Sequence, residues 1–279
     1  MSPLSVAVVG HVTNDSLEAG VRAGGAALYA ALTAQALGAE VTLFTGAGPD
    51  FVGRALLERL GRVHEMPAPR TTAFDERYRH GRRTVRLTAH AGPLDVTPPP
   101  ADLLLVCPVA DEVPLALLRS ARPGRLLAAG VQGWLRAFAS DGAASPRLPG
   151  EPGAFQGCGL VSLSEEDVEG LGPALLSSLR ASVPRVAVTA GASGARLDTP
   201  EGSLHLPPLP VRSVDPTGAG DVFLATLAVR LAAGETLADA AAWAACAGAL
   251  ATTAVGTDGV ARLEQLPEAL ARYRFPPRA

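Results

Sequence analysis

Short apolar runs alternate with longer stretches of helical period along this chain. Residues 6–10 (VAVVG) read as a buried strand, and 26–37 (AALYAALTAQAL) as an inner helix that Gly38 stops. A strand at 41–45 and a helix at 50–60 follow. Further buried strands are expected at 103–107, 125–129, 160–163 and 186–189, with helices at 113–120, 165–170 and 173–181. An apolar helix follows Asp221, and an Ala-rich helix occupies 236–255. This rhythm predicts an α/β fold, a three-layer α/β/α sandwich with a mostly parallel central sheet.

Two stretches break the rhythm. Residues 71–89 (TTAFDERYRHGRRTVRLTA) alternate on both sides of His80-Gly81, the pattern of a hairpin. Residues 12–22 are polar and poor in helix formers. Together they predict a small β lid, about 12–23 and 70–90, beside the main sheet. Phe74 and Tyr78 alternate there with Asp75 and Arg77, a face for covering substrate or for packing and dimerisation. The Gly/Pro/Ala/Ser-rich stretch 140–157 reads as a long loop, and the Pro-rich patches at 97–100 and 207–210 as turns or linkers. No repeat is visible, and one domain over 1–279 is expected.

Composition narrows the chemistry. All 24 basic residues are arginine, there is no isoleucine, and Asn14 is the sole asparagine. These residues share A- or T-rich codons, so the bias reads as that of a GC-rich genome. Without lysine there is no P-loop lysine and no Schiff-base lysine. Phosphate must be held by arginine, backbone N–H groups, helix N-termini or metal. The net charge of -3 gives no footprint for nucleic acid. Cys107, Cys158 and Cys246 form no spaced pair and fit a reducing interior. The opening MSPLSVAVVG lacks the pattern of a signal peptide, and acidic residues interrupt the Ala-rich stretch. A cytoplasmic protein that contacts no membrane is expected.

The densest chemical signal is residues 214–221, VDPTGAGD, at the head of an apolar helix. Small residues let N–H groups approach an anion, and the helix dipole adds positive charge there. Asp221 falls in the first turn beside that site, where a carboxylate can take a proton from an attacking hydroxyl. The alternative is a glycine-rich turn capped by Asp215 or Thr217. Gly46-Ala-Gly48 reads as a turn, lacking a dinucleotide fingerprint. Gln132, Trp134 and Arg136 follow a strand end, open to substrate contact or to a structural turn.

The string DPTGAGD resembles the C-terminal signature of the ribokinase-like PfkB family of carbohydrate kinases. Gly24-Gly25 opening a helix that ends in Leu37-Gly38 resembles the family's first signature, and the likeness runs over about residues 5 to 270. The resemblance implies an ATP-dependent kinase acting on a hydroxyl of a small sugar or polyol. By it, Asp221 is the base, and the N–H groups of Gly218, Ala219, Gly220 and Asp221 form the anion hole. Asp15, Gly25, Tyr29 and Gln132 line the acceptor. Ser164, Asp167, Thr189, Gly191, Gly194, Cys246 and Gly256 lie on the nucleotide side. Asp167 acts near Mg²⁺ through water, and Asp215 helps hold a monovalent cation, as in some members. Four departures point away from a ribokinase pocket: Tyr29 stands for a sugar-binding asparagine, Ala26 for a neighbouring lysine, Ser164 for the metal-side asparagine, and Asp167 for glutamate. A nucleoside kinase and a silent sugar- or nucleotide-binding protein of the same fold remain as alternatives. A homodimer through the lid is a further expectation.

Overall fold

The computed structural model describes residues 3–18, 20–79, 82–120, 124–150 and 153–274. The chain begins with β1 (Ser5–Val9), β2 (Thr13–Leu17), β3 (Gly20–Gly24) and α1 (Ala26–Ala36). It continues through β4 (Glu40–Ala47), α2 (Arg54–Leu60), β5 (Val63–Pro67), β6 (Thr72–Arg79) and β7 (Arg82–Ala89). Next come β8 (Leu103–Val106), β9 (Leu126–Gly130), β10 (Arg136–Phe138), β11 (Ala144–Pro146) and β12 (Leu160–Ser164). Then follow α3 (Glu165–Leu171), α4 (Pro173–Ser182), β13 (Val186–Thr189), β14 (Ala195–Thr199) and β15 (Gly202–Leu206). The last elements are α5 (Ala219–Ala232), α6 (Leu237–Ala251), α7 (Asp258–Ala261) and α8 (Leu266–Arg272).

The central sheet has nine strands in the order β15-β14-β13-β12-β9-β8-β1-β4-β5. From β13 to β5 the neighbours pair in parallel, and β14 and β15 extend the edge antiparallel. Side chains alternate across it. Val6 and Val8 join one core with α1, α5 and α6, while Ala7 and Val9 join the other with α4. Both faces are therefore covered, which explains the near-continuous apolar strands. The strand order reverses at β1, which has β8 on one side and β4 on the other. A crevice opens at such a reversal, beyond the carboxyl ends of the strands. A Cβ on Gly248 of α6 would come 3.3 Å from the Ala219 carbonyl, so α6 seats closely against the first turn of α5.

The lid is a separate four-stranded sheet in the order β3-β2-β6-β7. Asp15 lies opposite Arg22 on β3 and Phe74 on β6, so Asp15, Arg22 and Glu76 share one face. β6 and β7 form the expected hairpin; its turn at His80-Gly81 and the Tyr78 side chain lie outside the described residues. Phe74 is buried and packs on Phe138 at 6.0 Å.

Three expectations need correction. The helix expected at 50–60 spans only Arg54–Leu60, because Asp50 instead accepts the Thr71 N–H and hydroxyl, both at 2.8 Å. The helix expected at 113–120 is a 3-10 turn over Leu115–Ser120. The loop expected at 140–157 contains β11, paired antiparallel with β10. Gly142 just before it accepts the Leu87 N–H at 2.9 Å, so this segment braces the β7 edge of the lid. Among the described residues, no helix is long and apolar enough to cross a membrane.

Candidate active site

Gly24 ends β3, and Gly25 is the N-cap of α1. A Cβ on Gly24 would fall on the Asp15 carboxylate, and one on Gly25 would lie 2.5 Å from the His11 carbonyl. Gly25 also has φ +100, which disfavours any side chain. The pair lets α1 start hard against β2, and one turn later Tyr29 is buried. Burial raises the Tyr29 phenol well above its ordinary value, and Asp15, Asp215, Asp221 and Glu76 push it the same way. Carboxylates from the lid and from the VDPTGAGD segment thus converge on one hydroxyl.

Gly218 caps α5 in a left-handed conformation (φ +77, ψ -3), and no side chain caps the helix. Its first turn is therefore suited to an anion. The Ala219 N–H turns back to the Pro216 carbonyl at 3.2 Å. Asp221 follows, half-buried. Burial raises the thiol of Cys107, the residue after β8, and so does the charge of Asp221. Beside it, a Cβ on Gly220 would lie 3.9 Å from the Thr189 hydroxyl at the end of β13.

Asp215 holds the entry to this turn. Its Oδ1 accepts the Thr217 N–H at 3.0 Å. Its Oδ2 accepts the Gly256 N–H at 3.0 Å and faces Arg22 Nη1 at 3.3 Å. Burial alone would raise its carboxyl, but the Thr217 and Gly256 hydrogen bonds and Arg22 outweigh this and hold it below the ordinary value. Both Asp215 oxygens are thus engaged, Oδ1 by the Thr217 N–H and Oδ2 by the Gly256 N–H and the Arg22 guanidinium.

On the opposite side, Ser164 and Asp167 form a capping box at the start of α3. Ser164 Oγ donates to Asp167 Oδ2 at 2.7 Å and accepts the Asp167 N–H at 3.1 Å. Among the described residues, no group of three or more His, Cys, Asp or Glu could hold a metal. One carboxylate with an oxygen to spare fits Mg²⁺ held chiefly by substrate phosphates and water. Gly191 opens a 3-10 turn, and Gly194 lies under β15, where a Cβ would meet the Leu206 carbonyl at 2.1 Å.

The structure brings Asp15, Gly25, Tyr29, Asp215, Gly218 and Gly256 to one spot, with Asp221, Gly220 and Thr189 adjoining. It does not bring Cys246 there. That thiol is wholly buried in the core, and burial pushes it up to about 12. Gln132 starts a 3-10 turn after β9, and Trp134 in that turn is structural, its Nε1 donating to the Val113 carbonyl at 2.7 Å. The cavity at the site is lined by Asp15, Leu17, Arg22, Tyr29, Glu76 and Asp215, with Ala23, Thr217 and Gly256. Arg22 and Glu76 stand outside every motif of the sequence, and Thr217 was expected only as a cap. The signal for Arg22 was its place two residues before Gly24 in the strand that must fold back on Asp15.

Residues 157–262 match the model of the pfkB family carbohydrate kinases. The chain is 35% identical over 130 residues to the bifunctional protein HldE of Caulobacter vibrioides, covering 46% of this chain and 27% of that protein. It is 37% identical over 152 residues to the inositol 3-kinase of Zea mays, covering 53% of this chain and 39% of that protein. The matched segments are thus well under half the length of these two curated relatives. The fold resembles a sulfate complex of a pyrophosphate-dependent kinase in the ribokinase family, with a TM-score of 0.80 at 20% identity, covering 93% of this chain and 99% of that one.

Proposed function

We propose that this chain, whose residues 157–262 match the pfkB family of carbohydrate kinases, phosphorylates a hydroxyl of a small polyol or sugar. The carrying observation is one cavity lined by the lid carboxylates Asp15 and Glu76, by Asp215 and by Tyr29, whose ring lies against the uncapped turn at Gly218. Polyhydroxylated rings are held by such acceptors, each carboxylate taking one or two O–H donors. The inositol kinase likeness and the bulk of Tyr29 favour a cyclitol over ribose. The Tyr29 ring is buried against Gly218, which leaves its hydroxyl near Gly256 as the polar tip for the acceptor.

Asp221 accepts the proton of the attacking hydroxyl as its oxygen bonds to phosphorus. The N–H groups at the head of α5 stabilise the growing phosphoryl charge without lysine. Asp167 would hold Mg²⁺ through water, and the ion would supply charge neutralisation to the donor phosphate oxygens. The donor is ATP in this reading. The residues the resemblance puts on the nucleotide side, Thr189, Gly191 and Gly194, lie at and just after the end of β13, with Thr189 next to Gly220 on the donor side of the helix head. The pyrophosphate-dependent neighbour makes pyrophosphate the second donor to assay.

The test is a donor-by-acceptor matrix on the purified protein. ATP and pyrophosphate are each combined with cyclitols, sugars and nucleosides, and the phosphorylated acceptor is measured directly. Transfer to a cyclitol or sugar is expected. Transfer confined to nucleosides, or to no acceptor with either donor, overturns the reading.

A further inference from the structure

We propose that Arg22 is a positioning residue that latches the lid to the loop of the anion site and so couples lid closure to phosphoryl transfer. This rests on the kinase reading above. Arg22 stands opposite Asp15 across the β2–β3 pair, on the inner face of the lid. Its guanidinium reaches Asp215 at 3.3 Å. Asp215 in turn accepts the N–H groups of Thr217 and Gly256. One ion pair therefore ties three segments together: the lid, the turn leading into α5, and the loop after α6.

The surroundings give this pair more weight than a surface contact. The Arg22 and Asp215 side chains are 34% and 14% exposed, with Tyr29 and Gly256 beside them. Fully exposed pairs contribute little, and partial shelter strengthens the attraction. The cavity between lid and body measures about 10 Å³, room for one water at most. No polyol fits that space, so an acceptor enters only when the lid lifts. Lifting the lid carries β3 away from the VDPTGAGD segment and parts Arg22 from Asp215.

The latch bears on what the donor phosphate meets. In productive turnover the acceptor oxygen bonds to phosphorus, the bond to the leaving phosphate breaks, and the acceptor proton passes to Asp221. Under a loose lid, water takes the acceptor's place. Its oxygen bonds to phosphorus as the bond to the leaving phosphate breaks, its proton passes to the same base, and inorganic phosphate and the remainder of the donor depart. A latch that favours the closed lid favours the first course.

The test compares wild type with Arg22→Ala, Arg22→Lys and Asp215→Asn. For Arg22→Ala, acceptor phosphorylated per donor consumed is expected to fall about tenfold, between the effects of exposed and buried pairs. Donor KM should stay near the wild-type value, and Arg22→Lys should recover part of the coupling. A second readout needs no activity. In the free protein, hydrogen exchange at residues 20–24 is expected to quicken about tenfold in Arg22→Ala and in Asp215→Asn, as for local opening of the lid. The double variant should add little to either. Unchanged exchange in Arg22→Ala, or unchanged transfer per donor consumed, overturns the proposal. If wild type phosphorylates nothing, the kinase reading falls, and exchange alone still decides the latch.

Discussion

The ring of Tyr29 fills the space that any side chain at residue 218 would need: a Cβ on Gly218 would lie 2.4 Å from it. The left-handed φ of +77 at Gly218 adds a second, independent bar to substitution. The head of α5 and the acceptor side of the site are thereby fixed to each other through one contact.

Gly218→Ala is therefore expected to damage the site more than the fold. Strain at a left-handed position costs about 1–3 kcal/mol, and the clash must displace Tyr29 or the helix head. Turnover should fall by about a hundredfold or more, as for misplacement of reacting groups, with the melting temperature lowered by a few degrees. Steady-state kinetics and thermal melts on the same sample check this.

Tyr29→Phe keeps the ring against Gly218 and removes the hydroxyl that the carboxylates surround. Its effect on stability should be small, within about 1 kcal/mol for one hydrogen-bonding group. Acceptor KM should rise about tenfold, the worth of one lost hydrogen bond to substrate, with donor KM unmoved. An acceptor titration of the variant decides it.

His11 sets a pH limit at the root of the lid. It is buried, and its Nδ1 lies 2.7 Å from the Thr72 hydroxyl, which accepts the Ala91 N–H and so can donate to the ring. Burial, with a smaller push from His90, lowers its pKa from 6.5 against the pull of Glu112. The unfolded chain therefore binds a proton at pH values where the native histidine does not. The contribution to stability is complete above pH 6.5 and is lost as the pH falls through the lowered native value. Melting curves between about pH 7.5 and 5 should slope downward, and His11→Gln should remove part of that slope.

Asp215 already holds two N–H groups and Arg22, so turnover should be indifferent to monovalent cations. Rates in sodium, potassium and choline salts at equal ionic strength are expected to agree within about twofold, the spread expected from screening alone. Activation of tenfold or more by one ion would show that a cation takes part in holding the loop.

The layered fold was legible because its strands are buried on both faces and read as unbroken apolar runs. The uncapped head of α5 was legible because a helix that starts in a left-handed turn calls for glycine there, and TGAG supplies it. The lid was harder. Its function lies in cross-strand register, and nothing local to Arg22 or Glu76 announces that they face Asp15. The 3-10 turn at 115–120 and strand β11 were obscured because short elements take their shape from what they pack on rather than from their own pattern. Cys246 shows the opposite failure: a motif position was carried across, while the helix turned that side chain into the core.

The most direct measurement is acceptor phosphorylation by Asp221→Asn beside wild type, with donor and acceptor binding followed by thermal shift. Loss of a catalytic base costs about 10²–10⁴ in rate, so turnover should fall by at least a hundredfold while both ligands still raise the melting temperature. A variant that transfers phosphate within tenfold of wild type would contradict the role of Asp221 and, with it, the reading of the VDPTGAGD segment as the catalytic centre.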